Sequence, residues 1–155
     1  KNIYLLKDAE YVNSTTSDLS IAFNRYIILI SKAKKLQIIM PIYSENHFKH
    51  MIDLLDKGQV DDLRLIVSEE IYDSIKKNKL FKKELLENDK VKLTVTDNNL
   101  KIFLTYSEEF MSLTLFFKDG HYDDSQILIG KNEKALKWAK SLINSYETLD
   151  EKHEG

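Results

Sequence analysis

Three residues suited to phosphodiester cleavage lie close together in the chain. They form the pattern His47-x-Lys49-x-x-x-Asp53, in which a histidine would attack phosphorus and a lysine would hold the phosphate oxygens. The apolar stripe around them predicts a helix, on which His47 and Lys49 point about 200° apart. Because side chains on opposite sides of a helix cannot face one phosphate, we interpret the segment as a solvated helix face.

Other residues suited to chemistry have simpler structural interpretations. His47 and His50 are spaced to bind a metal from one helix face, but the chain has no cysteine and no His-Glu-x-x-His pattern, so we interpret them as a surface pair. The chain also has no Gly-rich phosphate loop, and we predict neither a metal nor a cofactor. Trp138 and Tyr146 are expected in the core. A run of lysines is expected on the solvated side of a helix: Lys76, Lys77, Lys79, Lys82 and Lys83.

Polar residues at the ends of predicted strands form the candidate binding site. Carboxyl ends of parallel strands meet at one edge of a sheet, where helix N-termini also converge. Helix N-termini favour an anion whereas Asp97 would repel one, so we expect a neutral, hydroxylated or mixed-charge small molecule. The alternative is that these residues are caps and turn residues. The expected ligand-binding residues are Tyr43, Ser68, Thr96, Asp97 and Tyr122.

The hydrophobic pattern predicts the elements that position these residues. Strands and helices first alternate with short joints, which implies parallel strands, and later strands follow one another through short turns, which implies antiparallel pairing. We therefore predict an α/β fold, a mixed sheet with a parallel βαβαβ part followed by antiparallel hairpins and a C-terminal helix. The predicted strands lie at 9–12, 36–40, 63–67, 91–95, 101–105, 110–117 and 126–129. The predicted helices lie at 17–33, after Ser44 as far as Gly58, after Ser68, around 80–86 and at 132–146.

Composition excludes several classes of function. The 155 residues fit one domain, 1–155, with a net charge of −2 and arginine only at Arg25 and Arg64. DNA-binding domains are usually basic and rich in arginine, so we expect DNA contact only through a part outside this chain. No apolar run approaches the length that spans a bilayer. Because the chain starts at Lys1 without a signal peptide, we expect a cytoplasmic fragment of a longer protein.

Several motifs in order resemble one archaeal family of regulators. The segment 91–101 resembles the family's "Leu-Tyr-Val-Thr-Asp-Glu-Asn-Leu", and 110–123, with its Lys118-Asp119-Gly120, is similar to "Leu-Ser-Leu-Gly-Leu-Phe-x-Lys-Asp-Gly-x-Tyr-Asp". The segment 40–43 resembles "Ser/Thr-Pro-Ile", and 133–138 resembles "Glu-Ala-Leu-x-Trp-Gly". From about residue 18 to 146, the chain resembles the sensor domain of the methanogenesis regulatory protein family.

The resemblance implies a longer regulator and a known type of fold. Members have an N-terminal winged helix-turn-helix before this domain, and the fold is remotely similar to phospholipase D without its catalytic pair. Two positions depart from the family pattern. Ala139 replaces the usual Gly after Trp138, and Gly130 stands where Ser is common.

Three functions are compatible with these observations. The first is an effector-sensing and dimerisation domain of an archaeal winged helix-turn-helix transcription regulator, not an enzyme, whose effector would change the spacing of two DNA-binding domains. The second is a phospholipase D-like phosphodiesterase that uses His47 or His121. The third is a dimerisation module without a ligand. A homodimer is expected, with contacts at 110–117 or around Leu136 and Ile143 on the last helix.

Overall fold

The computed structural model of the chain describes residues 9–13, 21–97, 100–115 and 126–154. These residues form a seven-stranded mixed sheet with helices on both faces. The strands are β1 (Glu10–Asn13), β2 (Lys35–Ile39), β3 (Asp62–Ser68), β4 (Val91–Thr96), β5 (Ile102–Tyr106), β6 (Met111–Leu115) and β7 (Gln126–Gly130). The helices are α1 (Ile21–Ile30), α2 (Glu45–Asp56), α3 (Glu69–Lys77), α4 (Lys79–Phe81), which continues as a π-helical turn (Lys82–Leu86), and α5 (Glu133–Glu154).

The sheet has a parallel half and an antiparallel half. The strand order is β1-β7-β6-β5-β2-β3-β4, with β2, β3 and β4 parallel and every other neighbouring pair antiparallel. Strand β2 joins the halves, since Ile38 lies opposite Leu65 of β3 on one side and Thr105 of β5 on the other. The predicted fold class, a mixed α/β sheet with a C-terminal helix, is confirmed.

The alternation of side chains along the strands creates two cores. On one face, Leu36 and Ile38 of β2 pack under α1, α2 and α3, together with Phe48 of α2 and Phe81 of α4. On the other face, the odd-numbered neighbour Ile39 packs with Leu104 and Met111 beneath α5. Because side chains in a strand alternate with a period of two, a one-residue slip of β2 would move its apolar set from one core to the other, and this fixes the register.

Polar side chains start the helices at the positions that the sequence predicts. Ser44 Oγ accepts a hydrogen bond from the backbone N–H of His47, and Ser68 Oγ accepts one from that of Ile71, each at 3.3 Å. These are N-cap bonds, which satisfy a backbone donor that has no partner inside the helix. At the other end of α2, Gly58 has φ +74°, a left-handed conformation that turns the chain out of the helix.

Three helices differ in extent from the sequence prediction. Helix α1 ends at Ile30, because Lys32 and Ala33 form a tight turn before β2. The predicted helix at 80–86 is a short α-turn followed by a π-helical turn, and α5 continues past Tyr146 through polar residues to Glu154. Glu and Lys favour the helical conformation but are polar, so the sequence has no apolar stripe from which this part of α5 could be predicted. The predicted cap at 14–17 and hairpin turn at 118–120 lie outside the described residues.

Most of the described residues predicted to form dimer contacts are buried inside the domain, and residues 116 and 117 lie outside the described part of the chain. Ile143 is 0% exposed and Phe110 is 4% exposed, so neither side chain is available to a partner. Ile143 follows Ala135 and Ala139 at successive intervals of four residues, and this spacing places all three along the line where α5 meets the sheet. Leu136 is partly buried and packs against the same core. No helix among the described residues is long and apolar enough to cross a membrane.

Gly130 allows α5 to approach the sheet closely. A Cβ atom at this position would lie 3.0 Å from Ala135 Cβ and 3.0 Å from Met111 Sδ. The methionine can move, but the alanine carbon is fixed by the backbone of α5. This contact favours Gly at position 130 over Ser, which is common here in the family that the chain resembles.

We predict that Gly130→Ala lowers the free energy of unfolding by about 1–3 kcal/mol, the usual cost of forcing an extra carbon into a packed core. Urea unfolding followed by Trp138 fluorescence measures this change. Unchanged stability would show that α5 does not approach β7 as closely as described.

Candidate functional site

The structure places four of the five predicted ligand-binding residues at one edge of the sheet. Ser68 and Thr96, at the ends of β3 and β4, lie directly opposite each other, and Asp97 follows Thr96. Tyr43 lies just beyond the end of β2, where its ring is 5.6 Å from that of Phe48. The sequence therefore predicted their common location correctly. Tyr122 lies outside the described residues.

The side chains at this edge differ in what they can offer to a ligand. Ser68 caps α3, as the alternative interpretation expects. Thr96 is buried and Asp97 exposed, and both interact with other groups of the protein. Burial against neighbouring rings raises the pKa of Tyr43, and the nearby charge of Glu45 adds to the effect. The phenol is therefore neutral and can donate a hydrogen bond at physiological pH. A ligand site here stays a prediction.

His47 does not lie on a solvated helix face, and that interpretation is wrong. Its side chain is 6% exposed and is surrounded by the rings of Phe23, Tyr26 and Phe103, with centroids 4.9, 5.5 and 5.2 Å away. The interpretation of His47 and His50 as a surface pair fails for the same reason. The sequence carried a signal for this burial, because His47 precedes the buried Met51 and Leu54 at helical spacing.

The buried imidazole is held neutral. Its Nδ1 is 2.7 Å from Ser44 Oγ. Burial, and secondly the charge of His50, lower the pKa of His47 from 6.5 to about 4. A neutral imidazole packs among aromatic rings without the cost of burying a charge. The position of His47 therefore indicates a structural role at the base of α2.

The other members of the phosphodiester-cleaving pattern point elsewhere. Lys49 Nζ lies 4.0 Å from Glu45, and Asp53 Oδ2 lies 2.8 Å from Lys57 Nζ, both in exposed pairs along α2. A nucleophile and its phosphate clamp must converge on one atom, and His47 and Lys49 do not. In the part of the chain that the structure describes, no cluster of three or more His, Asp or Glu residues could hold a metal.

The remaining predictions about side chains are confirmed. The five lysines from 76 to 83 are exposed, and Lys76 Nζ lies 4.6 Å from the centroid of the Tyr72 ring. Trp138 and Tyr146 are partly buried against the core beneath α5.

A cleft that the sequence did not predict lies at the opposite edge, where the parallel strands begin. It has a volume of about 460 Å³, and we call it the basic cleft. Four lysines line it, together with Arg25, a turn at 107–110 that carries Glu108 and Glu109, and an apolar surface formed by Leu29, Ala33 and Phe110. The four lysines are Lys32, Lys34, Lys35 and Lys131.

The sheet topology brings these distant segments together. Strand β2 runs antiparallel to β5, so Lys34 and Lys35 at its start lie near the 107–110 turn after β5. Strand β6 begins opposite Gly130, which places Lys131 beside the same turn. A second cavity, of about 580 Å³, lies between α3, the π-helical turn and β4. Neither cavity includes a residue of the predicted site at the carboxyl edge.

The fold resembles that of solved proteins of two kinds. The structure of TrmBL2, an archaeal chromatin protein with a novel mode of DNA binding, matches 90% of this chain and 52% of that one, with a TM-score of 0.66 and 13% identity. Phosphatidylserine synthase from Haemophilus influenzae Rd KW20 matches 92% of this chain and 38% of that one, with a TM-score of 0.57 and 13% identity. At this identity the likeness concerns the fold alone, which is phospholipase D-like. The chain spans about half the length of the first protein and less of the second.

Sequence comparison identifies the family. The family model for the middle domain of the methanogenesis regulatory protein FilR1 matches residues 20–149. This match covers most of the chain, which therefore belongs to that family of regulatory domains. The resemblance read from the motifs is confirmed. No protein of curated function matches the sequence significantly.

The buried His47 makes stability depend on pH. Its pKa is lower in the folded chain than in the unfolded chain, so the unfolded chain binds the proton first as pH falls, and folding becomes less favourable. From pH 7 to pH 5, we predict that the unfolding free energy of the wild type falls by about 2 kcal/mol more than that of His47→Phe. Urea unfolding at the two pH values measures the difference.

A variant at the neighbouring histidine is the control for this prediction. His50→Gln should keep most of the wild-type pH dependence, because burial is the larger cause of the lowered pKa of His47. Equal loss of stability in the wild type and in His47→Phe would contradict a buried, neutral His47.

Proposed function

We propose that this domain is the effector-sensing and dimerisation domain of an archaeal winged helix-turn-helix transcription regulator. Membership of the methanogenesis regulatory family carries the proposal. The fold likeness to TrmBL2, an archaeal protein that binds DNA, supports it. The net charge of −2 favours DNA contact through a part of the regulator outside this chain. Such a regulator would act in the cytoplasm.

A phosphodiesterase is the weaker alternative. The fold likeness to phosphatidylserine synthase is the observation in its favour. Against it, His47 is enclosed by three aromatic rings while Lys49 is exposed beside Glu45. These residues lack a common point at which to hold and attack a phosphate. We therefore propose that the domain is not an enzyme.

The proposed effector site is the carboxyl edge of the parallel strands. Tyr43 and Asp97 supply a neutral phenol and an exposed carboxylate there, and Ser68, Thr96 and Tyr122 complete the proposed set. Asp97 favours a neutral or mixed-charge molecule with hydroxyl or amino groups over an anion. The effector would bind one arrangement of the dimer more tightly and so shift the population between two spacings of the DNA-binding domains.

We predict that an effector found by thermal-shift screening of neutral, hydroxylated metabolites loses most of its stabilising effect in Asp97→Ala and in Tyr43→Phe. Each substitution removes a hydrogen-bonding group from the proposed site. Asp97→Ala should cost the free protein no more than about 1 kcal/mol, the value of a lost cap or turn bond.

The matched control is Asp56→Ala, which removes an exposed carboxylate at the other end of α2. It should leave the effector's stabilisation intact. An effector whose stabilisation survives both Asp97→Ala and Tyr43→Phe would place its site elsewhere in the domain.

The proposed dimer requires an exposed apolar contact. Ile28 on α1 is 51% exposed, and Tyr11 on β1 is 57% exposed. Tyr11 lies opposite Leu128, which packs in the core beneath α5, so Tyr11 faces the α5 side. Ile28 lies about one turn after Arg25, which forms an ion pair with Glu10 of β1 at 2.9 Å, and it belongs to the α1 side of the domain. This side is our candidate surface for a two-fold contact.

We predict that the domain sediments as a dimer at tens of micromolar and that Ile28→Glu makes it monomeric. A charge placed in an apolar interface would have to be buried without a partner, at a high cost. Leu80→Glu is the control, since Leu80 is 47% exposed on a different surface and its substitution should leave the dimer intact. A wild type that stays monomeric would assign dimerisation to another part of the regulator.

A further inference from the structure

We propose that the basic cleft at the amino edge of the parallel strands is a second ligand site, which binds a small organic anion with two or more negative charges and an apolar body. This site is separate from the proposed effector site and extends the domain's function beyond it. The cleft combines an excess of positive charge, an apolar surface and a rigid turn.

The charge in the cleft favours an anion. Among the residues that line the cleft, Lys32, Lys34, Lys35 and Lys131 outnumber Glu108 and Glu109 by two charges. No ion pair among the described residues occupies these lysines. Arg25 also lines the cleft, but its charge is balanced by Glu10 at 2.9 Å. The four lysines come from two separate segments, 32–35 and Lys131, so folding is required to bring them together.

The end of α1 opposes an anion only weakly. The C-terminal end of a helix carries roughly half a negative charge, and this end of α1 lies close to Lys32 and Ala33. The carbonyl groups of residues 27–30 already accept hydrogen bonds from Ser31, Lys32 and Ala33, so they repel an anion less than open carbonyls would. The excess of two charges outweighs the helix end, and a ligand with at least two negative charges uses this excess best.

The apolar surface calls for an organic rather than an inorganic ligand. Leu29, Ala33 and Phe110 are only 6%, 8% and 4% exposed and form the floor of the cleft, and the methylene stems of the exposed lysines beside them supply the rest of its apolar lining. An apolar group that covers them gains affinity by removing their remaining surface from water. Sites for small molecules usually combine such a surface with a few charged groups that fix the ligand's orientation.

The turn beside the cleft is held in place before any ligand arrives. Ser107 donates its backbone N–H to the carbonyl of Phe110 at 2.8 Å, and its Oγ accepts hydrogen bonds from the N–H groups of Glu109 and Phe110. Ser107 itself is 5% exposed. Because the turn does not need to be ordered on binding, less of the interaction energy is spent on conformational entropy.

The shape of the cleft favours a small molecule over the DNA backbone. Its volume of about 460 Å³ lies within the range of about 300–1,000 Å³ that is typical of ligand pockets. DNA recognition usually requires roughly 6–10 phosphate contacts spread along a surface. A recess with two excess charges beside two glutamates offers fewer contacts than that.

Calorimetric titration of the 155-residue chain tests this proposal with four probes: naphthyl phosphate, naphthalene dicarboxylate, uncharged naphthol and duplex DNA. We expect the two charged naphthalenes to bind, with affinity that falls as salt increases, and naphthol not to bind measurably. The ratio of the dissociation constants of the two charged probes shows whether the cleft prefers phosphate or carboxylate. Replacing Lys34 and Lys35 together by Gln should lower the affinity for the preferred probe by about tenfold or more.

A matched double variant separates the cleft from general charge effects. Lys82→Gln with Lys83→Gln removes the same charge from exposed positions on the π-helical turn, and it should leave affinity within about twofold of the wild type. The proposal is overturned if neither charged probe binds at millimolar concentration, if both double variants weaken binding equally, or if duplex DNA alone binds. None of these outcomes bears on the neutral effector at the carboxyl edge, which Asp97→Ala tests separately.

Discussion

Strand β2 is paired on both sides, in parallel with β3 and antiparallel with β5, and the two halves of the sheet meet at this strand. Its side chains alternate between two cores, with Ile38 beneath the first three helices and Ile39 beneath α5. The register of β2 therefore sets the positions of both halves at once. Both edges of functional interest depend on it, since β2 begins at the basic cleft and ends just before Tyr43.

The side of β5 that faces the helices strengthens this junction. Thr105 of β5 is 0% exposed, and its Oγ1 lies 2.7 Å from the phenolic oxygen of Tyr26 on α1. Phe103 of the same strand contacts the rings of Tyr26 and His47. His47, although it belongs to a pattern associated with phosphodiester cleavage, thus packs between α1 and strand β5 of the β2–β5 junction. In this domain the imidazole serves packing, and the polar surfaces suited to ligands lie at the two strand edges.

Much of this architecture was accessible from the sequence, because local patterns determine it. Ser44 and Ser68 precede apolar stripes and cap their helices, and the short apolar runs became strands of the predicted kind. The location of Ser68 and Thr96 at one edge followed from parallel pairing alone. The burial of Ile143 could also have been found from its spacing with Ala135 and Ala139.

The remainder depended on tertiary contacts that no local pattern reveals. The basic cleft combines the end of α1, the start of β2, the turn after β5 and Lys131, which are neighbours only because β2 pairs with β5 and β6 pairs with β7. The spacing of His47 with Met51 and Leu54 indicated a buried side chain, but the three aromatic rings that enclose it come from other elements and could not be predicted locally.

Native-state hydrogen exchange of the 155-residue chain, measured residue by residue in increasing denaturant, tests the central role of the β2–β5 junction. If this pairing joins the two halves into one cooperative unit, the amides of β2, β3 and β5 will exchange with a single free energy equal to that of global unfolding. Separate opening of β5, β6 and β7 at a lower free energy, while β2, β3 and β4 stay protected, would contradict the account.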